Sequence, residues 1–162
     1  MNKKYLVVPI VIILAASLIL IFVDQVDQNH MNETFKELVE EAVRLIEDKG
    51  ETAFPEFRQE GTKWFVDDTY VFVWKTDGNR IVYPPDLNGE GENMSTLIDA
   101  TGKEIGRMFI EIALSEDGEG WIDYKWPKPG ETEPSNKRTY IKVVTIDEQA
   151  FLVGSGFYTV TN

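Results

Sequence analysis

Residues 120–130 read GWIDYKWPKPG, and this aromatic segment decides the fold. Side chains alternate between the two faces of a β-strand, so Trp121 points one way while Tyr124 and Trp126 point the other. Because bulky rings occupy both faces, we expect a sheet that is covered on both sides. Two rings with polar tips on one face indicate either a small-molecule pocket or the ordinary packing of a doubly buried strand.

The N-terminus combines two lysines with an uncharged run. Lys3 and Lys4 precede residues 5–23, which carry no charge. As a helix this run rises roughly 28 Å, close to the thickness of a bilayer's hydrocarbon core. We therefore predict an uncleaved signal anchor, a transmembrane helix over residues 1–23, with a cleaved signal peptide as the alternative. The lysines favour the cytoplasmic side, which predicts a single-pass protein of the cell membrane with residues from Asp24 onward outside.

The chain is strongly acidic. It carries 16 Lys+Arg and 28 Asp+Glu among 162 residues, a formal net charge of −12. Nucleic acid demands clustered basic residues, so this composition argues against it as a partner. The chain has no cysteine, so disulfides do not hold the external domain together.

Hydrophobic periodicity predicts an α+β domain. A membrane-proximal long helix is expected over residues 24–50, followed by a domain over residues 51–162 that begins with a short helix at 52–59. Alternating patterns and turn signals then predict two strands joined by a tight turn, a loop, a helix and three more strands, at 70–75, 80–83, 86–102, 103–114, 120–126, 137–146 and 150–158. The sum is an antiparallel sheet with a long helix packed across it.

Motifs for catalysis and metal binding are weak. His30 is the only histidine and lies far in sequence from any candidate nucleophile, which argues against a Ser-His-Asp site. The segment GSG at 154–156 lacks the spacing of a nucleophile elbow, and its glycines more simply let a strand bend or another backbone approach. Residues 86–90 lack the ligand alternation of a calcium loop. We therefore expect a protein that is not an enzyme and needs no cofactor or metal.

A series of short sequence motifs runs along the part of the chain that is expected to lie outside the membrane. They are KG at 49–50, KWF at 63–65, YVFV at 70–73, DG at 77–78, YP at 83–84, LNG at 87–89, DATGK at 99–103, GWIDYKWP at 120–127, Lys137 with Tyr140, and GSGFY at 154–158. In this order and spacing they resemble a Cache domain, the extracytoplasmic sensor module of chemoreceptors and sensor kinases, and most closely the single-Cache type. The resemblance covers roughly residues 35–158.

The resemblance implies a PAS-like five-stranded antiparallel sheet with a long N-terminal helix on one side. It also implies a small ligand, often a carboxylate or amino acid, held between the sheet and the loop-and-helix segment between strands two and three. Carried over by position, the ligand-binding candidates are Tyr70, Trp74, Tyr83, Tyr124, Trp126, Lys137 and Tyr140. At Tyr83-Pro84 many relatives have His-Pro, which bears on ligand choice.

Two of these candidates conflict in parity. Lys137 and Tyr140 point to opposite faces of a regular strand, so both reach one pocket only if Lys137 lies at an irregular start of its strand. Tyrosine hydroxyls and a lysine ammonium suit a carboxylate, while aromatic rings shield it from water.

The expected function is a membrane-anchored extracytoplasmic sensor module for a small organic ligand, acting in signal transduction such as chemotaxis. The sequence stops at Asn162, directly after the last predicted strand, whereas relatives continue into a second membrane helix and a signalling domain. We therefore expect no output domain of its own, and action through a homodimer or a separate signalling partner. The alternative is a structural or protein-interaction module whose pocket is filled by its own side chains.

Overall fold

The computed structural model describes residues 4–159, with side chains from Gln25 onward. The chain divides into two compact units, Met1–Thr34 and Phe35–Asn162. A single helix, α1 (Lys4–Lys49), runs through the first unit into the second and confirms the predicted long N-terminal helix. The predicted anchor over residues 1–23 lies outside the residues whose side chains are described. Among the helices that are described, none is both long and apolar enough to cross a membrane.

The second unit contains short helices and seven strands besides the end of α1. The helices are the 3-10 turn Gly50–Ala53, α2 (Phe54–Phe57), the 3-10 turn Leu87–Gly89 and α3 (Ile105–Ala113). The strands are β1 (Phe65–Val66), β2 (Thr69–Tyr70), β3 (Phe72–Lys75), β4 (Arg80–Val82), β5 (Glu119–Pro127), β6 (Pro134–Ile146) and β7 (Gln149–Tyr158).

Five of the strands form one antiparallel sheet, as predicted, and their order is β4-β3-β7-β6-β5. Tight turns with positive φ angles join two pairs of neighbouring strands. Asp147 and Glu148 adopt φ angles of 47° and 66° between β6 and β7, and Gly78 adopts 92° between β3 and β4. The last strand in the chain therefore lies at the centre of the sheet.

Both faces of the sheet are buried, as the aromatic pattern predicts. One, called here the α1 face, packs fully buried side chains such as Val73 and Phe151 against Val39 and Ile46 of α1. Fully burying one such side chain stabilises the fold by roughly 1.5–3 kcal/mol. The other, the α3 face, packs against α3. Trp121 lies against the α1 face, and Ile122, Tyr124 and Trp126 belong to the α3 face.

The structure corrects two local predictions. The strand predicted at 70–75 is interrupted at Val71, whose N–H bonds to the Trp64 carbonyl, so Tyr70 pairs with β1 in a separate two-stranded sheet. The strand predicted at 137–146, the second of the last three, starts earlier than predicted, since β6 pairs with β5 without interruption from Pro134 onward. Lys137 therefore lies inside a regular strand and not at an irregular start.

Candidate functional site

An aromatic row lines the α3 face along β2 and β3. Tyr70, Phe72 and Trp74 are two residues apart, so their rings stand side by side, with centroids 6.4 and 5.9 Å apart. Phe109 of α3 lies over the row, 5.7 Å from Phe72 and 5.2 Å from Trp74. Gly154 makes room for Phe72, because a Cβ there would stand 2.3 Å from the ring. At Gly154 the approaching group is thus a side chain and not the backbone that the sequence predicted.

Between this row and the segment carrying α3 lies a narrow cleft, called here the inner cleft. It is lined by Tyr70, Phe72, Trp74, Arg80, Tyr83, Leu97, Ile105, Phe109, Tyr124 and Trp126. The rings nearly fill it and leave space for about one water molecule.

Three predicted residues close the opposite wall of the inner cleft. Tyr83 meets the Tyr70 ring edge-on at 5.7 Å, and Tyr124 lies 6.2 Å from Trp126. The Trp126 Nε1 donates a hydrogen bond of 3.2 Å to the Tyr83 hydroxyl, which joins β5 to the segment after β4. Burial raises the pKa of Tyr124 and Tyr70 well above the usual range for tyrosine, so both hydroxyls stay protonated at neutral pH.

A β-bulge brings a charge into the inner cleft. Val82 pairs with Val73 and Arg80 pairs with Trp74, so Ile81 is an extra residue in β4. A bulge re-aims the side chains on either side of it. Val82 consequently lies on the α1 face while Arg80, two residues earlier, lines the cleft.

Arg80 was not among the residues predicted from the sequence. Its guanidinium is buried, lies 4.2 Å from the Tyr83 ring centroid and donates 2.8 Å to the Gly89 carbonyl. Gly89 leaves the space that this guanidinium occupies, since a Cβ there would stand 2.1 Å from Arg80 Nη2. No residue type in β4 indicates a bulge. An arginine two positions from an apolar valine in one strand was nevertheless a signal of interrupted alternation there.

Trp74 carries an unpaired donor. It is 3% exposed, and its Nε1 has no hydrogen-bond partner within the described part of the chain. Buried polar groups are nearly always paired, so such a donor marks a place where an acceptor fits.

Lys137 does not line the inner cleft but contacts Tyr70, which does. It is 1% exposed, and its Nζ lies 3.8 Å from the Tyr70 ring centroid and 4.8 Å from that of Tyr158. The Nζ has no hydrogen-bond partner among the described residues. Burial lowers the pKa of Lys137 to about 7, against a smaller upward effect of the Asp68 charge.

Tyr140 lies on the other side of the sheet. Its ring packs 5.0 Å from Trp121 on the α1 face, and Lys36 of α1 lies 5.6 Å from its centroid. The parity conflict with Lys137 is thereby resolved: the two side chains face opposite ways. The structure brings five of the seven predicted residues together, Tyr70, Trp74, Tyr83, Tyr124 and Trp126, and places Lys137 and Tyr140 outside the inner cleft.

The cleft opens towards an outer groove that shares Arg80, Tyr83 and Trp126 with it. The tip of the β5–β6 hairpin, which includes Lys128, forms the far side of this groove. Lys128 pairs with Asp68 at 2.6 Å and holds the tip in place.

Asp99 fixes the loop that covers the cleft. Its Oδ1 accepts hydrogen bonds from the backbone N–H groups of Thr101 and Lys103, at 2.8 and 2.9 Å, and its Oδ2 accepts 2.9 Å from Lys125 N on β5. Burial opposes ionisation, but these bonds and one from the Thr101 hydroxyl outweigh it and lower the pKa of Asp99 to about 2. No group of His, Cys, Asp or Glu able to hold a metal occurs in the described ranges.

Comparison with known proteins gives a consistent set of relatives. A family model described as a Cache domain matches residues 15–161. The chain is similar to the sensor histidine kinase MctS of Rhizobium johnstonii, with 35% identity over 91 residues, and to the methyl-accepting chemotaxis protein McpP of Pseudomonas putida, with 28% over 91 residues. Each match covers 56% of this chain but 19% and 16% of the relatives, so the chain spans less than a fifth of their length.

A solved structure extends the likeness over most of the chain. It is described as the structural basis for carboxylic acid recognition by a Cache chemosensory domain. The TM-score is 0.68 at 22% identity, covering 82% of this chain and 96% of that one. This match confirms the predicted PAS-like α+β fold.

Proposed function

The chain belongs to the Cache domain family, whose model matches residues 15–161, and from that premise we propose that it is an extracytoplasmic sensor module whose inner cleft binds a small carboxylate. The module binds its ligand without transforming it. An amino acid, which carries a carboxylate too, belongs to the same ligand class.

One observation carries the choice of ligand: the inner cleft offers donors and positive charge. Trp74 has an unpaired Nε1, and Arg80, its cross-strand partner, carries a guanidinium. The ion-pair partner of Arg80 is Glu92, whose side chain is 61% exposed, so that pair contributes little. A carboxylate accepts hydrogen bonds and carries the opposite charge, which suits both groups.

The remaining predicted residues take supporting roles in this proposal. The rings of Tyr70, Tyr83, Tyr124 and Trp126 surround the apolar part of the ligand and exclude water, which strengthens the polar contacts. Since the cleft has space for about one water molecule, the rings shift outward when a ligand enters. The Trp126–Tyr83 hydrogen bond at the entrance is the contact we expect to break.

A second candidate rests on that same filled cleft. A structural or protein-interaction module has no need of a ligand, and self-packed rings are what its core would show. The unpaired Trp74 Nε1 weighs against it, because a core built for packing alone leaves few buried donors unsatisfied.

We also propose a place for the module in a receptor system. The uncharged run at residues 5–23 behind Lys3 and Lys4 favours a membrane anchor with the remainder outside the cytoplasm. MctS and McpP are, by name, a sensor kinase and a chemotaxis receptor, which supports a signalling role. Output through a homodimer or through a separate partner fits this role.

Thermal unfolding in the presence of small carboxylates tests the proposed function. A ligand that binds the folded state alone raises the melting temperature. Acetate, propionate, butyrate, small amino acids and matched amines are compared, and we expect a rise with at least one carboxylate and none with the amines. Trp74→Phe keeps a ring and removes Nε1, so it should weaken the response. Trp121→Phe, on the α1 face, is the matched control. No shift with any carboxylate contradicts the proposal and favours the second candidate.

A further inference from the structure

Lys137 is a buried cation, and no carboxylate of the described residues forms an ion pair with it. It lies on β6, paired across strands with Tyr124 on β5 and Tyr158 at the end of β7. Its Nζ contacts ring faces, those of Tyr70 and Tyr158, and cation–π attraction offsets only part of the loss of hydration.

The charged groups around Lys137 do not neutralise it. Asp68, before β2, raises the pKa of Lys137 slightly but is already paired with Lys128. On the other side, Lys137 borders an end groove whose ionisable members are Asp99, Lys103, Asp123 and Lys125. The Asp99 carboxylate accepts hydrogen bonds from backbone N–H groups, and the Asp123 carboxylate forms an ion pair with Arg138.

The tyrosines that face Lys137 supply no negative charge either. Burial raises the pKa of Tyr70, Tyr124 and Tyr158 above their usual range, so each remains a neutral phenol. The ammonium form of Lys137 is therefore disfavoured by burial, and the group is poised to exchange a proton near neutral pH.

Tyr70 connects this lysine to the inner cleft. Its ring lines the cleft, and Lys137 Nζ lies 3.8 Å from the centroid of the same ring. A carboxylate in the cleft is thus separated from Nζ by about one ring in a medium of low dielectric constant. A negative charge at that range favours the protonated lysine.

We propose that carboxylate binding in the inner cleft is coupled to uptake of a proton by Lys137, so that occupancy of the site responds to carboxylate and acidity together. The inference rests on the proposed function and adds its regulation. The protonated lysine then adds to the positive charge of Arg80 and strengthens the attraction for the anion.

Calorimetric titration of the full chain with acetate, propionate and butyrate tests the coupling. Titrations at about pH 6 to about pH 9, in buffers of different ionisation enthalpy, give both affinity and the number of protons bound. We expect an affinity about tenfold lower at about pH 8.5 than at about pH 7, with uptake approaching one proton. Lys137→Met should bind with an affinity that does not change over this range. Lys125→Met, in the same end groove, should keep the wild-type profile.

A second experiment measures the protonation of Lys137 directly in the wild-type protein. NMR titration of ¹³C-labelled lysine side chains in the wild-type protein follows Lys137, assigned by its absence in Lys137→Met, with and without carboxylate. We expect its titration midpoint to move upward when ligand binds. Binding with constant affinity and no proton uptake overturns the coupling and leaves the proposed function standing. Absence of carboxylate binding at every pH overturns both.

Discussion

Phe157 and Tyr158 are neighbours on β7 whose rings face opposite sides of the sheet. The Phe157 ring packs 5.2 Å from Phe35 of α1, whereas the Tyr158 ring lies 4.8 Å from Lys137 Nζ. One peptide unit of the central strand thus joins the surroundings of the buried lysine to the long helix. A movement of Tyr158 on ligand binding has a short path to α1.

A double-mutant cycle between Phe35 and Phe157 measures this contact. We expect Phe35→Leu and Phe157→Leu to show a coupling of about 0.5–1.5 kcal/mol in the free energy of unfolding, because the two rings touch. Phe35 and Phe72, on opposite faces of the sheet, form the control pair and should be additive within about 0.5 kcal/mol. Urea unfolding monitored by circular dichroism gives these values. Additive effects for the first pair would show that the two rings are energetically independent.

Gly89→Ala should impair binding more than stability. The new Cβ would stand 2.1 Å from Arg80 Nη2, and the flexible end of that side chain moves away at small cost. We expect the carboxylate-induced rise in melting temperature to shrink severalfold, while the melting temperature of the free protein changes by a few degrees. Leu87→Ala, in the same turn and 58% exposed, is the control. An undiminished response in Gly89→Ala would remove Arg80 from the site.

Asp99→Asn should loosen the loop over the cleft. The loss of charge-assisted bonds to buried N–H groups costs about 1–3 kcal/mol of unfolding free energy. The amide of Lys125, which donates to Asp99, should exchange its hydrogen faster. Asp123→Asn, whose ion pair with Arg138 is exposed, should change stability by less than about 1 kcal/mol.

Acid sensitivity follows from the same carboxylate. The pKa of Asp99 is about 2 in the folded protein and lies near 3.8 when unfolded. Its ionised form therefore stabilises the fold fully above about pH 4, and this contribution disappears as the pH falls towards about pH 2. The difference in unfolding free energy between wild type and Asp99→Asn should shrink over that interval. A difference that is constant from neutral pH to about pH 2 would contradict the shift.

Lys137→Met should stabilise the protein in a pH-dependent way. The pKa of Lys137 is about 7 when folded and 10.5 when unfolded, so the wild type loses stability as the pH falls from 10.5 to 7, with no further loss below. The advantage of the variant should grow over the same interval and then level off. Urea unfolding at a series of pH values measures it. An advantage independent of pH would mean that Lys137 keeps its charge throughout.

Sequence alternation predicted the sheet face of residues in regular strands. It did not predict the face of a residue beside a local irregularity. Trp121 and Tyr124 lie on the expected faces because β5 is regular along its whole length. Alternation also predicted that Lys137 and Tyr140 face opposite sides unless the strand is irregular, and β6 pairs regularly through both residues. Arg80 escaped notice because its direction depends on a bulge in β4, which is a property of pairing between strands and not of residue type.

The bulge at Ile81 has a consequence for relatives of this chain. If residues 80–82 paired with β3 without a bulge, residues 80 and 82 would point to the same side, so either the arginine would leave the cleft or the valine would leave the core. The charge of the cleft thus depends on how β4 pairs with β3. Relatives with residues like these three but no bulge in this strand should recognise a different class of ligand.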